Sequence, residues 1–154
     1  MATSPKLTFR AARPEDYEFA VGLYLESTKR LLAALGKWDE PRVRARFRQD
    51  FAPDRAHVIR CDDADIGWLQ VSETAEHFHV DQIHLVKRFR NRGIGSHLIK
   101  ALLERAGAAG RAVGLNVIRG NPAISLYRRL GFRVVGEDEE KLRMRWEPAR
   151  ARPA

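Results

Sequence analysis

The sequence predicts a mixed α+β domain with about six to seven mostly antiparallel strands and about four helices. Three observations predict it. Apolar residues alternate with polar ones in three runs between residues 57 and 86, separated by short polar turns. Helical periodicity precedes those runs. Two strand-then-helix units come after them, each helix closed by glycine.

Leu7, Phe9 and Ala11 alternate as in a strand, and Pro14, Glu15 and Asp16 open a helix with Phe19, Leu23 and Tyr24 on one face, ending between Thr28 and Leu35. A break, G-K-W-D-E-P, comes next at residues 36–41. Val43, Phe47 and Phe51 then recur at spacing four in a basic amphipathic helix. Strands at residues 57–61, 66–71 and 78–86 form an antiparallel meander, with turns at Asp62-Asp63 and at residues 74–76. Leu98, Ile99, Leu102, Leu103 and Ala106 mark a helix ending at Gly107 or Gly110. Residues 112–118 read as a buried strand. Asn121-Pro122 supplies an N-cap, Ile124, Tyr127 and Leu130 share a face, and Gly131 closes that helix. A hairpin of residues 132–135 and 142–146 turns through the acidic stretch 137–140, with Trp68 and Trp146 as core residues on strands.

No internal repeat or linker divides the chain, so its 154 residues are expected to form one domain over 6–147, with flexible ends at 1–5 and 148–154. No apolar run reaches the ~20 residues of a membrane span, and a soluble, cytoplasmic protein without a membrane partner is expected. Cys61 is alone and has no neighbours at metal-ligand spacing; it reads as a buried inert thiol, and no metal is expected. The net charge of +8 raises the question of an anionic partner, but the cations are scattered from Arg10 to Arg152, and no nucleic-acid partner is expected.

One cluster of charge has a local context. After the strand ending near Val86 comes R-N-R-G-I-G-S at residues 90–96, and then the helix. Unpaired backbone N–H groups at such a helix start bind an anion, glycines admit it closely, and Arg90 and Arg92 can add charge-assisted hydrogen bonds. Two known phosphate motifs do not fit. A dinucleotide fingerprint needs a third glycine where Leu98 stands, and a P-loop needs a lysine that is missing.

With both crossover units taken together, the chain resembles the GNAT superfamily of acetyl-CoA-dependent N-acyltransferases. Arg90-Asn-Arg-Gly93-Ile-Gly95 resembles that family's R/Q-x-x-G-x-G/A pyrophosphate motif. The stretch N-P-A-I-S-L-Y-R-R-L-G-F at residues 121–132 is similar to its N-x-A-x-x-L-Y-x-x-x-G-F helix. The resemblance covers residues 78–132 well, and the N-terminal elements fit the order without motifs. Lys87 departs from the proline of many relatives.

The resemblance implies a twisted, mostly antiparallel mixed sheet splayed between its fourth and fifth strands, and acetyl-CoA as donor with CoA as product. The exposed backbone of Leu85 and Val86 would pair with the pantetheine arm. The turn of Arg90, Asn91, Arg92, Gly93, Ile94, Gly95 and Ser96 would hold the pyrophosphate, and Asn121, Ala123 and Tyr127 would line the cofactor site. Asn121 is equally an ordinary helix cap. Tyr127 is similar to the family tyrosine that protonates the departing thiolate, a role that suits a phenol with pKa ~10; its place beside Ile124 and Leu130 also fits a core aromatic.

The acceptor would be an amine, on a small molecule or a polypeptide, attacking directly in a ternary complex. A lysine-like amine must first lose a proton, which at pH 7 costs about 4.6 kcal/mol, so a base or a water relay is needed. Counting back from Arg90, His79 falls where several family members carry a catalytic Glu or His. Asp81 lies two residues on, facing the same side by strand alternation. An imidazole at ~6.5 suits the task better than a carboxylate at ~3.9, while Asp81 could instead hold the substrate ammonium; His79, Asp81 and a water held by both stay open. Trp38, Asp39 and Glu40, in the break where the family builds its acceptor pocket, and Glu73, ending the neighbouring strand, would suit a cationic amine; helix capping and a packed Trp explain the first group equally well. A non-catalytic acyl-CoA sensor of the same fold is the alternative. The acceptor's identity and a homodimer stay open.

Overall fold

The computed structural model describes residues 6–149, so of the ends expected to be flexible, 1–5 and 148–154, residues 1–5 and 150–154 lie outside the described residues. Along the chain run β1 (Leu7–Ala11), α1 (Tyr17–Ala34), α2 (Glu40–Asp50), β2 (Ala56–Cys61), β3 (Ala64–Glu73), β4 (His77–Leu85), α3 (Ile94–Ala109), β5 (Ala112–Ile118), α4 (Ala123–Arg129), β6 (Arg133–Glu137) and β7 (Lys141–Trp146). The seven strands form one sheet in the order β1-β2-β3-β4-β5-β7-β6. Only β4 and β5 are parallel neighbours, which is the mixed, mostly antiparallel α+β sheet the sequence predicts.

Local chemistry sets the helix ends. The Asp16 carboxylate accepts from the Arg13 N–H at 2.8 Å and turns the chain into α1, which stops before Gly36 at φ +70°. Asp39 accepts from the Arg42 N–H at 3.3 Å and starts α2. Gly93 (φ +80°) and Gly110 (φ +67°) bracket α3 in the left-handed region that glycine enters without strain. The Asn121 side-chain oxygen accepts from the Ala123 N–H at 2.9 Å, so Asn121 does cap α4.

The helices cover both faces. On one, α1 and α2 pack Leu23, Tyr24, Leu32, Val43 and Phe47 against Val58 and Trp68. On the other, α3 and α4 set Ile99, Leu103, Ala106 and Tyr127 against Phe78, Val80, Val113 and Leu115. Cys61 is buried, as the sequence suggests.

Two irregularities of β4 open the middle of the sheet. Gln70 pairs with Gln82 but Val71 pairs with Val80, so Asp81 is an extra residue, a β-bulge. In addition, β4 and β5 pair only from His77↔Ala112 to Val80↔Leu115. Beyond that point β4 stays with β3 as far as Leu85 and β5 stays with β7 as far as Ile118, so the fourth and fifth strands part.

Candidate functional site

The parted strands leave the edge of β4 from Asp81 to Leu85 facing Asn116 to Ile118 without a ladder between them. In an antiparallel pair, successive residues point their backbone groups alternately toward and away from the partner. The Val86 N–H donates to the Ile66 carbonyl at 2.8 Å, toward β3. The backbone of Leu85 therefore faces the gap, and its carbonyl accepts from Arg90 Nε at 3.0 Å. Of the two residues expected to meet an extended ligand, Leu85 presents its backbone there and Val86 presents it to the sheet.

The edge leads into the glycine turn. Lys87–Phe89 form a 3-10 turn, Asn91 (φ +61°) and Gly93 adopt left-handed conformations, and α3 begins. His97 makes the first helical bond, to the Gly93 carbonyl, so the N–H groups of Ile94, Gly95 and Ser96 precede the ladder. A Cβ built on Gly93 or Gly95 meets nothing within 4 Å. This is an open cradle of amides with room for an anion. The arginines are arranged otherwise than their sequence suggests. The Arg90 guanidinium donates to Leu85 and to Ser27 Oγ (3.2 Å) and lies 3.6 Å from Glu26, tying the turn to β4 and α1. Arg92 and Arg88 lie over the ring of Phe89, at 5.4 and 5.3 Å.

Tyr127 projects from α4 into the core, 7% exposed, its ring 5.6 Å from Phe132 in an edge arrangement. Burial pushes its phenol up to about 12. Ala123, whose N–H Asn121 caps, packs against the same cluster.

On the opposite face of β4, His79 and Asp81 come together. His79 Nδ1 lies 3.0 Å from Asp81 Oδ1. Ser72 Oγ donates to Asp81 in a short bond, and Gln70 Nε2 donates to it at 3.4 Å. Burial raises the Asp81 pKa, but the hydrogen bonds from His79, Ser72 and Gln70 together outweigh it and hold the carboxyl below its ordinary range. An ionised Asp81 fixes the His79 tautomer with the proton on Nδ1 and leaves Nε2 as the acceptor. Gln70 is 1% exposed and also binds the Asp50 carbonyl and the Ala52 N–H, anchoring the network to the end of α2.

The other expected residues lie apart. Glu73 stands opposite Phe78, on the α3 side, and is held by Arg111 and Arg105; it does not share a face with His79. Asp39 caps α2, Glu40 is exposed and 3.5 Å from Arg44, and the Trp38 ring already carries Lys29 Nζ at 5.7 Å. Sequence reasoning passed over Gln70, Ser72, Gln82 and His84. The available signal was that Gln70 and Ser72 alternate with the core residue Trp68 on one strand. His84 Nε2 lies 2.6 Å from Gln82 Oε1, its ring 5.6 Å from that of Tyr24, and burial with the nearby Arg90 charge pushes it down to about 4. Among the described residues no cluster of three or more His, Cys, Asp or Glu could hold a metal, and no helix is long and apolar enough to cross a membrane.

Comparison with known proteins gives the same frame. Against curated proteins the sequence finds no match. Solved structures resemble it along almost its whole length. PaiA N-acetyltransferase from Thermoplasma acidophilum, in complex with coenzyme A, is 19% identical with a TM-score of 0.72, covering 92% of this chain and 99% of that one. The ribosomal-protein-S18-alanine N-acetyltransferase from Escherichia coli is 16% identical at a TM-score of 0.69, covering 95% and 96%. A histone acetyltransferase HPA2 and related acetyltransferase from Corynebacterium glutamicum is 20% identical at 0.67, covering 96% and 99%. At such identities the likeness is one of fold. The sequence itself decides the family: with the acetyltransferase (GNAT) model matching residues 20–132, across both crossover units and the parted strands, the chain belongs to the acetyltransferase (GNAT) family.

Proposed function

We propose that the protein transfers an acetyl group from acetyl-CoA to an amine by direct attack in a ternary complex. The observation that carries this reading is that the β4 edge, unpaired from β5 between Asp81 and Leu85, leads through the glycine turn to the open amide cradle at Ile94, Gly95 and Ser96. An extended, amide-bearing chain ending in a pyrophosphate fits that run: strand-like bonds at Leu85 for the arm, helix-start amides for the phosphates. Arg92 can swing from Phe89 to add charge, whereas Arg90 serves by holding the turn.

When bound, acetyl-CoA supplies an acyl thioester and a thiolate leaving group. The chain's own residues supply the rest. His79, with Nδ1 held by Asp81, accepts the amine proton at Nε2, directly or through a water. The bulge at Asp81 leaves backbone unpaired where the strands part and offers a donor to developing carbonyl charge. Tyr127 donates a hydrogen bond to the departing sulfur. The named acceptors of the neighbours, an alanine of ribosomal protein S18 and histones, are amines of proteins and support an amine acceptor here.

Thiol release measured with acetyl-CoA and a mixed panel of amines tests the proposal. Amine-dependent release is expected; CoA binding with no release from any amine would favour the sensor instead.

A further inference from the structure

A cavity of about 420 Å³ lies between the end of α1, the loop Lys37 to Asp39, the start of α2 and the β6–β7 turn. Its volume suits a molecule of amino-acid to dipeptide size. It adjoins the proposed acceptor face at two points. Glu140, in its wall, accepts through its carbonyl from the N–H of Arg119, the residue after β5, at 2.9 Å. Leu32 and Val43, also in its wall, pack in one buried cluster with Tyr24, whose ring lies 5.6 Å from that of His84 on β4.

The charges of this cavity are the reverse of what a cationic substrate needs. Its two acids already have partners: Asp39 accepts from the Arg42 N–H, and Glu140 pairs with Arg46 at 2.8 Å and Lys141 at 3.8 Å. Its cations are in excess. Lys37 has only Glu139, 3.6 Å away on a side chain that is 91% exposed, and among the described residues Arg42 has no ion-pair partner. The Trp38 ring already carries one cation, Lys29 Nζ at 5.7 Å from its centroid.

We infer that the acceptor is a small amine carrying its own acidic group, a carboxylate or a phosphorus oxyanion, which Arg42 and Lys37 bind in this cavity with the amine directed toward β4. Arg42 can grip such a group with two parallel N–H bonds, and Lys37 adds a point charge. The inference rests on the acetyl-transfer reading and adds the chemical class of its acceptor.

The test is thiol release with ω-amino acids and aminoalkylphosphonates, each beside its neutral amide or ester, and with diamines. Acidic members are expected to exceed their neutral congeners in kcat/KM by about tenfold or more. Arg42→Gln should bring that ratio close to one, mainly through KM, and Lys37→Gln should shrink it less. The carboxylate and phosphonate arms tell which oxyanion is read. Diamines or amides turned over as well as acids, or a ratio unchanged by Arg42→Gln, would overturn the inference and leave acetyl transfer standing. Should no amine release thiol, the transfer reading falls, and calorimetry with the CoA-loaded protein decides for the cavity: an acidic amine that binds wild type more tightly than Arg42→Gln supports it, and no binding refutes it. If Arg42→Gln does not melt like wild type, the Lys37→Gln ratio serves in its place.

Discussion

Replacing Tyr127 by Phe removes one oxygen from a ring that is otherwise packed. Burial is the cause of its raised pKa, and no hydrogen-bonding or charged neighbour among the described residues acts on it, so the substitution should leave the melting temperature almost unchanged. Its effect on rate comes from the same burial. A phenol at about 12 facing an aliphatic thiolate of ~8.5 would transfer its proton uphill by about 3.5 units, or ~4.8 kcal/mol. Full transfer is thus the lesser contribution, and the hydrogen bond to developing negative charge the greater. Such a bond is worth about 1.5–3 kcal/mol, a factor of roughly 10 to 100 in kcat. Stopped-flow or steady-state thiol release should show that loss, with CoA affinity by calorimetry little changed. The phenol also stays protonated well above pH 10, so no alkaline fall in kcat centred on the ordinary tyrosine value is expected from this residue. An unchanged kcat in Tyr127→Phe, in a protein that melts like wild type, refutes the assignment; an alkaline limb near 10 that disappears in the variant refutes the argument from burial.

In pH–rate profiles His79→Ala should abolish the acidic limb, whereas Asp81→Asn should lower the rate and keep a limb, because the depressed carboxyl is already ionised and only orients the ring. Gly95→Ala adds a methyl that meets no protein atom within 4 Å, so thermal stability should hold while CoA binding weakens by about tenfold or more; unaltered binding would place the pyrophosphate elsewhere. The depressed His84 pKa makes stability acid-sensitive: the unfolded chain gains a proton near 6.5 that the folded one refuses until about 4, so stability present above 6.5 falls by about 2 kcal/mol on going to pH 5. Urea unfolding of wild type and His84→Gln at pH 8 and 5 should show that difference, smaller in the variant. CoA at a hundred times its Kd should stabilise the fold by about 2.7 kcal/mol. Hydrogen exchange should then slow at Ile83, Leu85 and residues 94–96 but not at residues 77–80, which are already paired to β5; uniform protection would contradict the open-edge reading.

Much of this fold was legible because short-range chemistry fixes it. Glycines stand where α1, α3 and α4 stop, Asn121 stands where α4 starts, and alternation marks the meander. The bulge was not legible. Strict alternation puts His79 and Asp81 on one side of β4 and Gln82 and His84 on the other, yet all four face α1 and α2, because the extra residue at Asp81 resets the phase. Nothing within β4 announces that; it depends on the register with β3. Arg90 is a second case. Beside a glycine turn its charge reads as a phosphate ligand, but its partners include Ser27, 63 residues away, and no local pattern reveals such a contact. The third is the cavity at Trp38 and Asp39. Residue types suggested a site for a cation, but Asp39 also caps α2, and Lys37, Arg42 and Arg46 line the same cavity, a neighbourhood no local pattern reveals.

One residue links these outcomes. At Asp81 the β4 ladder with β5 has just ended, so the backbone on one side is released for a ligand, while the added residue turns the next two polar side chains to the same face as His79. An unpaired strand edge in the middle of a sheet forgoes several backbone hydrogen bonds, each worth about 1 kcal/mol, and persists because β3 and β7 hold the two strands on their outer sides. The polar cluster on the other face is equally held from outside, by Gln70 bridging to the end of α2. On the proposed reading, a donor bound along the edge and an acceptor arriving beneath α1 and α2 would therefore meet where β4 parts from β5 and Gln70 ties the sheet to the end of α2. That meeting point is set by the register of β4, not by any single catalytic side chain.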